Sequence, residues 1–372
     1  NNGLIQINND IFTEEEREYL RVNRFWVDDN EDEIALLERE INHNIQKRQK
    51  ELELTIALTN YCNFSCVYCY QNKNEKLMTT EVANMIIEKI DRILNDNKFE
   101  GINIHYFGGE PLLNIPVLIY LDENIKKITD KIGIVYKAFL TTNGSMLSKE
   151  LLQKVKFSSI QLTFDGLEKT HDRLRVSDHF PFKEEIELIE NIMNFSQAKV
   201  LLRTNICKEN KDEIIALHKY IFEKFGNERI EINPNRTIKY HQDDSFEMLS
   251  VQEYAEVAYQ IKLLWSEQKG KFELPVPRST PCKFPYGNAY AISPEGYCTF
   301  CSGSMDQEKK IFFDVDIENK KMFSVRKECK KCNILPLCLG GCIIQYNLRA
   351  GACTYEKYEL KNILISYIKH IS

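Results

Sequence analysis

Apolar positions along this chain follow two periods, and the two alternate. Short apolar or β-branched runs at Leu52–Thr59, Ile102–Phe107, Ile134–Leu140, Ser159–Phe164, Lys199–Ile206 and Arg229–Ile232 read as strands. Amphipathic helical stretches lie between them. The clearest, Thr80–Asn95, carries Val82, Met85, Ile86, Ile90, Ile93 and Leu94 on one stripe. Strand–helix alternation of this kind predicts parallel strands joined by right-handed crossovers. Six units are too few for a closed eight-fold barrel. The pattern therefore predicts an α/β fold, an open, partial (β/α)6 barrel of the TIM type. In such architectures ligand chemistry gathers at the C-terminal ends of the strands.

The flanks differ. Residues 1–50 form a polar extension in which Ile34, Leu37, Ile41 and Ile45 recur at helical spacing within Glu31–Lys50. That spacing predicts one amphipathic packing helix lying on the domain that follows. A helix-like stretch around Tyr254–Trp265 precedes the Pro-containing segment Leu274–Pro281, which reads as a linker. Beyond it the periodicity fades and cysteines concentrate. The expected organisation is an extension at 1–50, the barrel at 51–275 and a small cysteine domain at 276–372.

Composition narrows the function classes. A chain of 372 residues, 43% of them hydrophobic, can bury a sizeable core in roughly two domains. Twelve cysteines in a chain with no signal segment and no bilayer-length apolar run read as metal sites in a cytoplasmic protein, not as disulfides. A net charge of −6 argues against a nucleic-acid partner, and nothing points to a membrane.

The densest chemical signal is Cys62-Asn-Phe-Ser-Cys66-Val-Tyr-Cys69, directly after the first apolar run. Three thiolates on one short loop can hold three corners of a cubane iron–sulfur cluster and leave one iron open, since full ligation takes four. Structural zinc needs four closed ligands, and no fourth follows at finger-like distance. This CxxxCxxC resembles the signature of radical S-adenosylmethionine (radical SAM) enzymes, in which the open iron chelates the methionine moiety of SAM. The resemblance implies the rest of a site. Gly108-Gly109-Glu110, at the end of the second strand, resembles the GGE motif that holds the methionine amino group. Thr141-Thr142-Asn143-Gly144 and the stretch containing Gln161, Thr163 and Asp165 match segments that contact the ribose or the methionine carboxylate. Arg175, in His171-Asp172-Arg173-Leu174-Arg175, would pair with that carboxylate. Tyr68 matches an aromatic that lies against adenine, and the fifth strand, Val200–Ile206, would supply an apolar wall for it. Each of these polar strand ends also suits an ordinary turn or cap, and Tyr68 also suits plain packing. Cys207 reads as a small buried hydrophobe. His105, His171, His218 and His241 stand singly, without ligand spacing, His171 as a structural histidine.

After the linker come Cys282, then Gly296 and Cys301, then Cys329-x2-Cys332-x5-Cys338-x3-Cys342, and finally Cys353. This order resembles the SPASM pattern of radical SAM peptide-modifying enzymes, and Ser293–Gly296 reads as the turn of a hairpin carrying Cys301. The resemblance implies that Cys329, Cys332, Cys338 and Cys353 ligate one auxiliary four-iron cluster. Cys282, Cys301 and Cys342 would supply three ligands of a second, three 4Fe-4S clusters in all. Cys298, three residues before Cys301, would point to the other face of a regular strand and pack as a hydrophobe. A zinc ribbon is the alternative for this region.

The function this implies is maturation of a ribosomally made precursor peptide by radical hydrogen abstraction, with a thioether crosslink from cysteine as the favoured product. Electrons would come from a donor such as flavodoxin or ferredoxin. The runner-up is an anaerobic sulfatase-maturating enzyme forming formylglycine. A reading from another class is a metal-binding interaction protein with no turnover.

Overall fold

The computed structural model describes residues 13–22, 31–226, 229–239, 245–270, 276–286, 288–299, 301–304, 311–313, 322–342 and 353–371. Six strands run parallel: β1 Glu51–Ala57, β2 Gly101–Phe107, β3 Val135–Thr141, β4 Phe157–Thr163, β5 Lys199–Ile206 and β6 Ile230–Arg236. They are joined through helices, in the order the alternation predicts. The expected bounds hold to within a few residues, the last strand running on to Arg236.

Period-two alternation gives this sheet two unlike faces. Leu54, Ile104, Ile160 and Leu202 are 0–1% exposed and pack under the helices in one core. Their neighbours Asn103, His105, Gln161, Arg203 and Asn233 point the other way and are only partly covered. The concave side is thus a polar lumen. Its cavity, of about 310 Å³, is lined by Glu53, Asn103, His105, Thr141, Gln161 and Lys283, among others.

Helix Thr80–Asp96 shows how the covering layer is specified. Thr79 caps it by accepting the Val82 N–H at 3.3 Å, and Ala83, Ile86, Ile90, Ile93 and Leu94 are buried. Met85, assigned to the same stripe by sequence, is 49% exposed. One residue before Ile86, it lies about 100° round the helix and falls off the stripe. The stretch around Tyr254–Trp265 is the middle of a longer helix, Val251–Lys269, opened by a Ser250/Glu253 capping box and closed by Gly270. It follows β6, covers helix Ile214–Phe225 and receives the C-terminal helix Glu356–Ile371.

Two sequence expectations about domain layout change. First, helix Glu33–Arg48 does bury Ile41 and Ile45, but its partners are Phe323, Val325, Leu335 and Leu339 of the cysteine-rich end, not the barrel. Asn42 seals this contact: its amide donates to Phe323 O at 2.9 Å and accepts from Phe323 N at 2.8 Å. An amphipathic stripe states which face must be covered, not by what. Second, the cysteine region is not detached. β7 Ala289–Ile292 adds parallel to β1, and β8 Tyr297–Thr299 and β9 Ile311–Phe312 extend the sheet antiparallel, giving the order β9-β8-β7-β1-β2-β3-β4-β5-β6. The turn at Ser293–Gly296 joins β7 to β8 as expected, with Gly296 N donating to Ser293 O at 2.9 Å. Among the described residues no helix is long and apolar enough to cross a membrane.

Candidate active site at the strand C-terminal ends

The cysteine loop leaves β1 and is held from two sides. Gly108 and Gly109, after β2, lie against its first residues. Gly109 N donates to Thr59 O at 2.8 Å, and Glu110 N donates to Tyr61 O at 2.9 Å. Gly108 has φ +141°, and a Cβ on either glycine would run into the carbonyl of Thr59 or Tyr61. The glycines are needed here for close backbone approach. On the other side, Ser65–Cys66 pairs antiparallel with Arg175–Val176, and Val67 N donates to Leu174 O at 3.0 Å. The "HD..R" segment therefore clamps the loop through its backbone.

Three thiols converge on this loop. Burial pushes the Cys62 thiol up, with Cys69 adding to it. Burial pushes Cys66 to about 12, and Cys69 and Cys62 again contribute. All twelve cysteines are free thiols. Among the described residues no three Cys, His, Asp or Glu side chains close on a single metal ion. A cubane asks for something wider, since each thiolate meets a different iron. Soft thiols, held neutral by burial and displaced from their protons on metal binding, fit such a group. Asn143 reaches the same loop, its amide donating to Asn63 Oδ1 at 2.8 Å and lying 3.9 Å from Cys62 Sγ.

Several residues assigned to SAM by sequence are occupied in bracing the site. Glu110 is 0% exposed, and its carboxylate accepts from Thr142 Oγ1 (2.6 Å), Asn143 N (2.6 Å) and Leu112 N (3.0 Å). Burial raises it to about 6 while those donors hold it down. The side chain ties the turn after β3 to the turn after β2. Tyr68 donates its hydroxyl to Asp165, and its ring stands edge-on to Phe246 at 6.4 Å in a cluster with Leu174 and Cys207. Asp165 is wholly buried, burial pushes its carboxyl up, and its other oxygen accepts from Asn205 N at 2.6 Å. Arg175 is 6% exposed, 5.4 Å from the Phe64 ring and 3.9 Å from Glu185, which also lies 3.1 Å from His171 Nε2. Thr163 is buried at the end of β4, and Gln161 faces the lumen, accepting from Asn233 at 3.1 Å.

The fifth strand corrects a further expectation. Val200, Leu202, Thr204 and Ile206 are buried, leaving Leu201, Arg203 and Asn205 toward the lumen. Its apolar half serves the core, so the wall it gives the lumen is largely polar. Sequence reasoning also passed over Asn210, whose amide donates to Asp165 O (2.8 Å) and Asn205 O (2.9 Å), and over Glu185. Period-two alternation carried the signal for Arg203 and Asn205; Asn210 and Glu185 had none. His105 lies in the lumen, 2.8 Å from Thr141 Oγ1. His218 is buried against Trp265, and His241 lies outside the described residues.

Cys282, Cys301 and Cys342 lie near enough to influence one another electrostatically. Burial pushes the Cys301 thiol up, and the sulfurs of Cys282 and Cys342 add to the shift. Cys298 is half-buried against the main core from β8. Cys338 is buried, with Cys332 contributing to its raised thiol, while Cys353 is exposed.

Comparison with known proteins agrees with this layout. Residues 56–221 match the Radical SAM superfamily. The radical SAM cyclopropyl synthase TigE of Paramaledivibacter caminithermalis is 24% identical over 88% of this chain and 76% of that protein. Of several other curated relatives the chain spans only 39% to 53% of the length. Among solved structures, native anSMEcpe with bound AdoMet and Cp18Cys peptide superposes with a TM-score of 0.64 at 19% identity, covering 86% of this chain and 98% of that one. Streptococcus suis SuiB bound to the precursor peptide SuiA gives 0.55 at 17% identity, over 92% and 86%. The match to the Radical SAM superfamily thus spans residues 56–221, the stretch that holds the Cys62–Cys69 loop, Gly108-Gly109-Glu110 and Arg175.

Proposed function

We propose that this enzyme modifies a peptide, and that its favoured product is a thioether crosslink from a substrate cysteine. The observation that carries the reading is the extent of the lumen cavity. Its lining includes Thr141, two residues before the Asn143 that bonds the cysteine loop, and Lys283, next to Cys282. A substrate threaded there would lie between two cysteine clusters. When bound, SAM and its cluster supply a 5′-deoxyadenosyl radical that abstracts hydrogen. This chain's part is to bind, orient and keep out water. Side-chain amides of Asn103, Gln161, Asn233 and Asn235 line the barrel and suit the donors and acceptors of a peptide backbone. Cys62, Cys66 and Cys69 would hold the SAM cluster. Cys329, Cys332, Cys338 and Cys353 would hold one auxiliary cluster, and Cys282, Cys301 and Cys342 a second with three protein thiolates. SuiB is seen bound to the precursor peptide SuiA and anSMEcpe to the Cp18Cys peptide, which supports a peptide substrate.

The test is anaerobic incubation with SAM, a reductant and short cysteine-containing peptides encoded near this gene. A thioether product is two hydrogens lighter and blocks thiol alkylation. Formation of a hydrazide-reactive aldehyde would instead favour the sulfatase-maturating alternative, and no change in any peptide would remove the reading.

A further inference from the structure

Behind the segment that clamps the cysteine loop, two buried charges face each other. Glu185, on helix Phe182–Phe195, is 0% exposed. Its Oε1 lies 3.9 Å from Arg175 Nη2, within ion-pair distance but too long for a hydrogen bond. Among the described residues neither Glu185 oxygen takes a well-aligned hydrogen bond, whereas Glu110 is held by three donors. His171 Nδ1 accepts from Asp165 N at 3.4 Å, which leaves the hydrogen of a neutral imidazole on Nε2, 3.1 Å from Glu185 Oε2. His171 thus orients the carboxylate, and Arg175 supplies its counter-charge.

Arg175 is where this balance meets the cysteine loop. Its backbone pairs with Cys66, and its guanidinium lies 5.4 Å from the ring of Phe64, between Cys62 and Cys66. Burial works against its charge, yet the guanidinium is held well above its usual range. Glu185 contributes most among its neighbours, ahead of Tyr68, Cys66 and Asp165. Phe164 and Phe182 pack on His171 at 5.7 and 5.3 Å, so the pair sits in apolar surroundings where a charge is felt further. A buried carboxylate is costly without a cation, and net charge beside an iron–sulfur cluster is one of the terms that set its potential. We propose that Glu185 lowers the reduction potential of the cluster on the Cys62 loop by cancelling the Arg175 charge beside it. A cluster that takes up one electron gains one negative charge; an uncompensated Arg175 would favour that form, and Glu185 opposes it. Glu185 touches no reacting atom and acts through Arg175. The inference rests on the cluster assignment of this loop and not on a peptide substrate.

A potentiometric titration of the anaerobically reconstituted protein with an external one-electron reductant tests it. The titration is followed by EPR, without SAM, at about pH 8, above the ordinary imidazole range. The signal of the Cys62 loop is the one missing from the variant with Cys62, Cys66 and Cys69 changed to Ala. No such difference would remove the cluster assignment and this proposal with it; where the difference is present, the midpoint alone decides the proposal. Glu185→Gln is expected to raise the midpoint, so that the reduced-to-oxidised ratio at the wild-type midpoint rises about tenfold, ~59 mV for one electron. The double variant Glu185→Gln/Arg175→Gln should return toward wild type, and Glu185→Asp, which keeps the charge, should shift far less than Glu185→Gln. An unchanged midpoint in Glu185→Gln, or a shift that persists in the double variant, overturns the proposal. A merely structural role would lower stability and leave the midpoint where it was. Should Glu185→Gln fail to take up iron, Arg175→Gln alone is expected to lower the midpoint; an unchanged or raised value there counts against the proposal.

Discussion

Asn143 donates its backbone N–H to Glu110 Oε2 at 2.6 Å, and through that bond the turn after β3 is tied to the turn after β2. Thr142 Oγ1 and Leu112 N complete the set around one buried carboxylate. A Gln at 110 has one acceptor oxygen and turns the other side into a donor facing donors. Glu110→Gln is therefore expected to lose about 1.5–3 kcal/mol of stability. Denaturant unfolding of apo-protein measures this. Unchanged stability with weakened SAM binding would return Glu110 to direct ligand contact.

Tyr68 and Asp165 form the matching brace between the cysteine loop and the end of β4. Tyr68→Phe leaves the ring packed on Phe246 and removes only the hydroxyl, so the cost is about 1–3 kcal/mol for a buried carboxylate short of one donor. Stability is the readout. A Tyr68→Phe protein as stable as wild type would show that the hydroxyl braces nothing.

Helix Glu33–Arg48 belongs to the cysteine-rich end. Ile41, 2% exposed among Phe323, Val325 and Leu335, should lose about 2–4 kcal/mol when truncated to Ala. The loss should reach the auxiliary cysteines first. Iron analysis of reconstituted Ile41→Ala is expected to show depletion there while SAM cleavage persists; iron lost only from the Cys62 loop would contradict this placement.

Much of this was legible in the sequence, for a physical reason. A strand buried on one side by helices must carry apolar residues at every second position, and Leu52, Leu54 and Ile56 or Val200 and Leu202 announce it. The loop cysteines and Gly108-Gly109 are legible because their spacing and lack of a side chain have few other uses. What local pattern cannot carry is partnership across distance. The stripe on Glu33–Arg48 gave its buried face but not Phe323, 281 residues from Asn42. Glu110 and Tyr68 look the same in sequence whether they meet a ligand or a neighbouring strand end. Arg203 stood inside an apolar run, and only period-two reading separates its face from that of Leu202.

His218 gives a pH test remote from the cysteines. Trp265 Nε1 donates to its Nδ1 at 3.1 Å, and burial lowers the imidazole from 6.5 to about 3. Between those values the unfolded chain binds a proton that the folded one does not, so stability falls as pH drops from 6.5 toward 3. The slope approaches about 1.4 kcal/mol per pH unit. His218→Gln keeps an acceptor but does not titrate. Comparing the two pH–stability curves should show the extra loss only in wild type; parallel curves would mean His218 protonates inside the fold.

The most direct test of the central claim is 5′-deoxyadenosine release by the anaerobically reconstituted protein given SAM and a reductant. The wild type is expected to bind roughly twelve irons and release it, while the variant with Cys62, Cys66 and Cys69 all changed to Ala keeps about two thirds of the iron and releases none. Continued release from that variant, or none from iron-replete wild type, would contradict the assignment of the cysteine loop as the radical-generating site and leave a metal-binding protein without turnover.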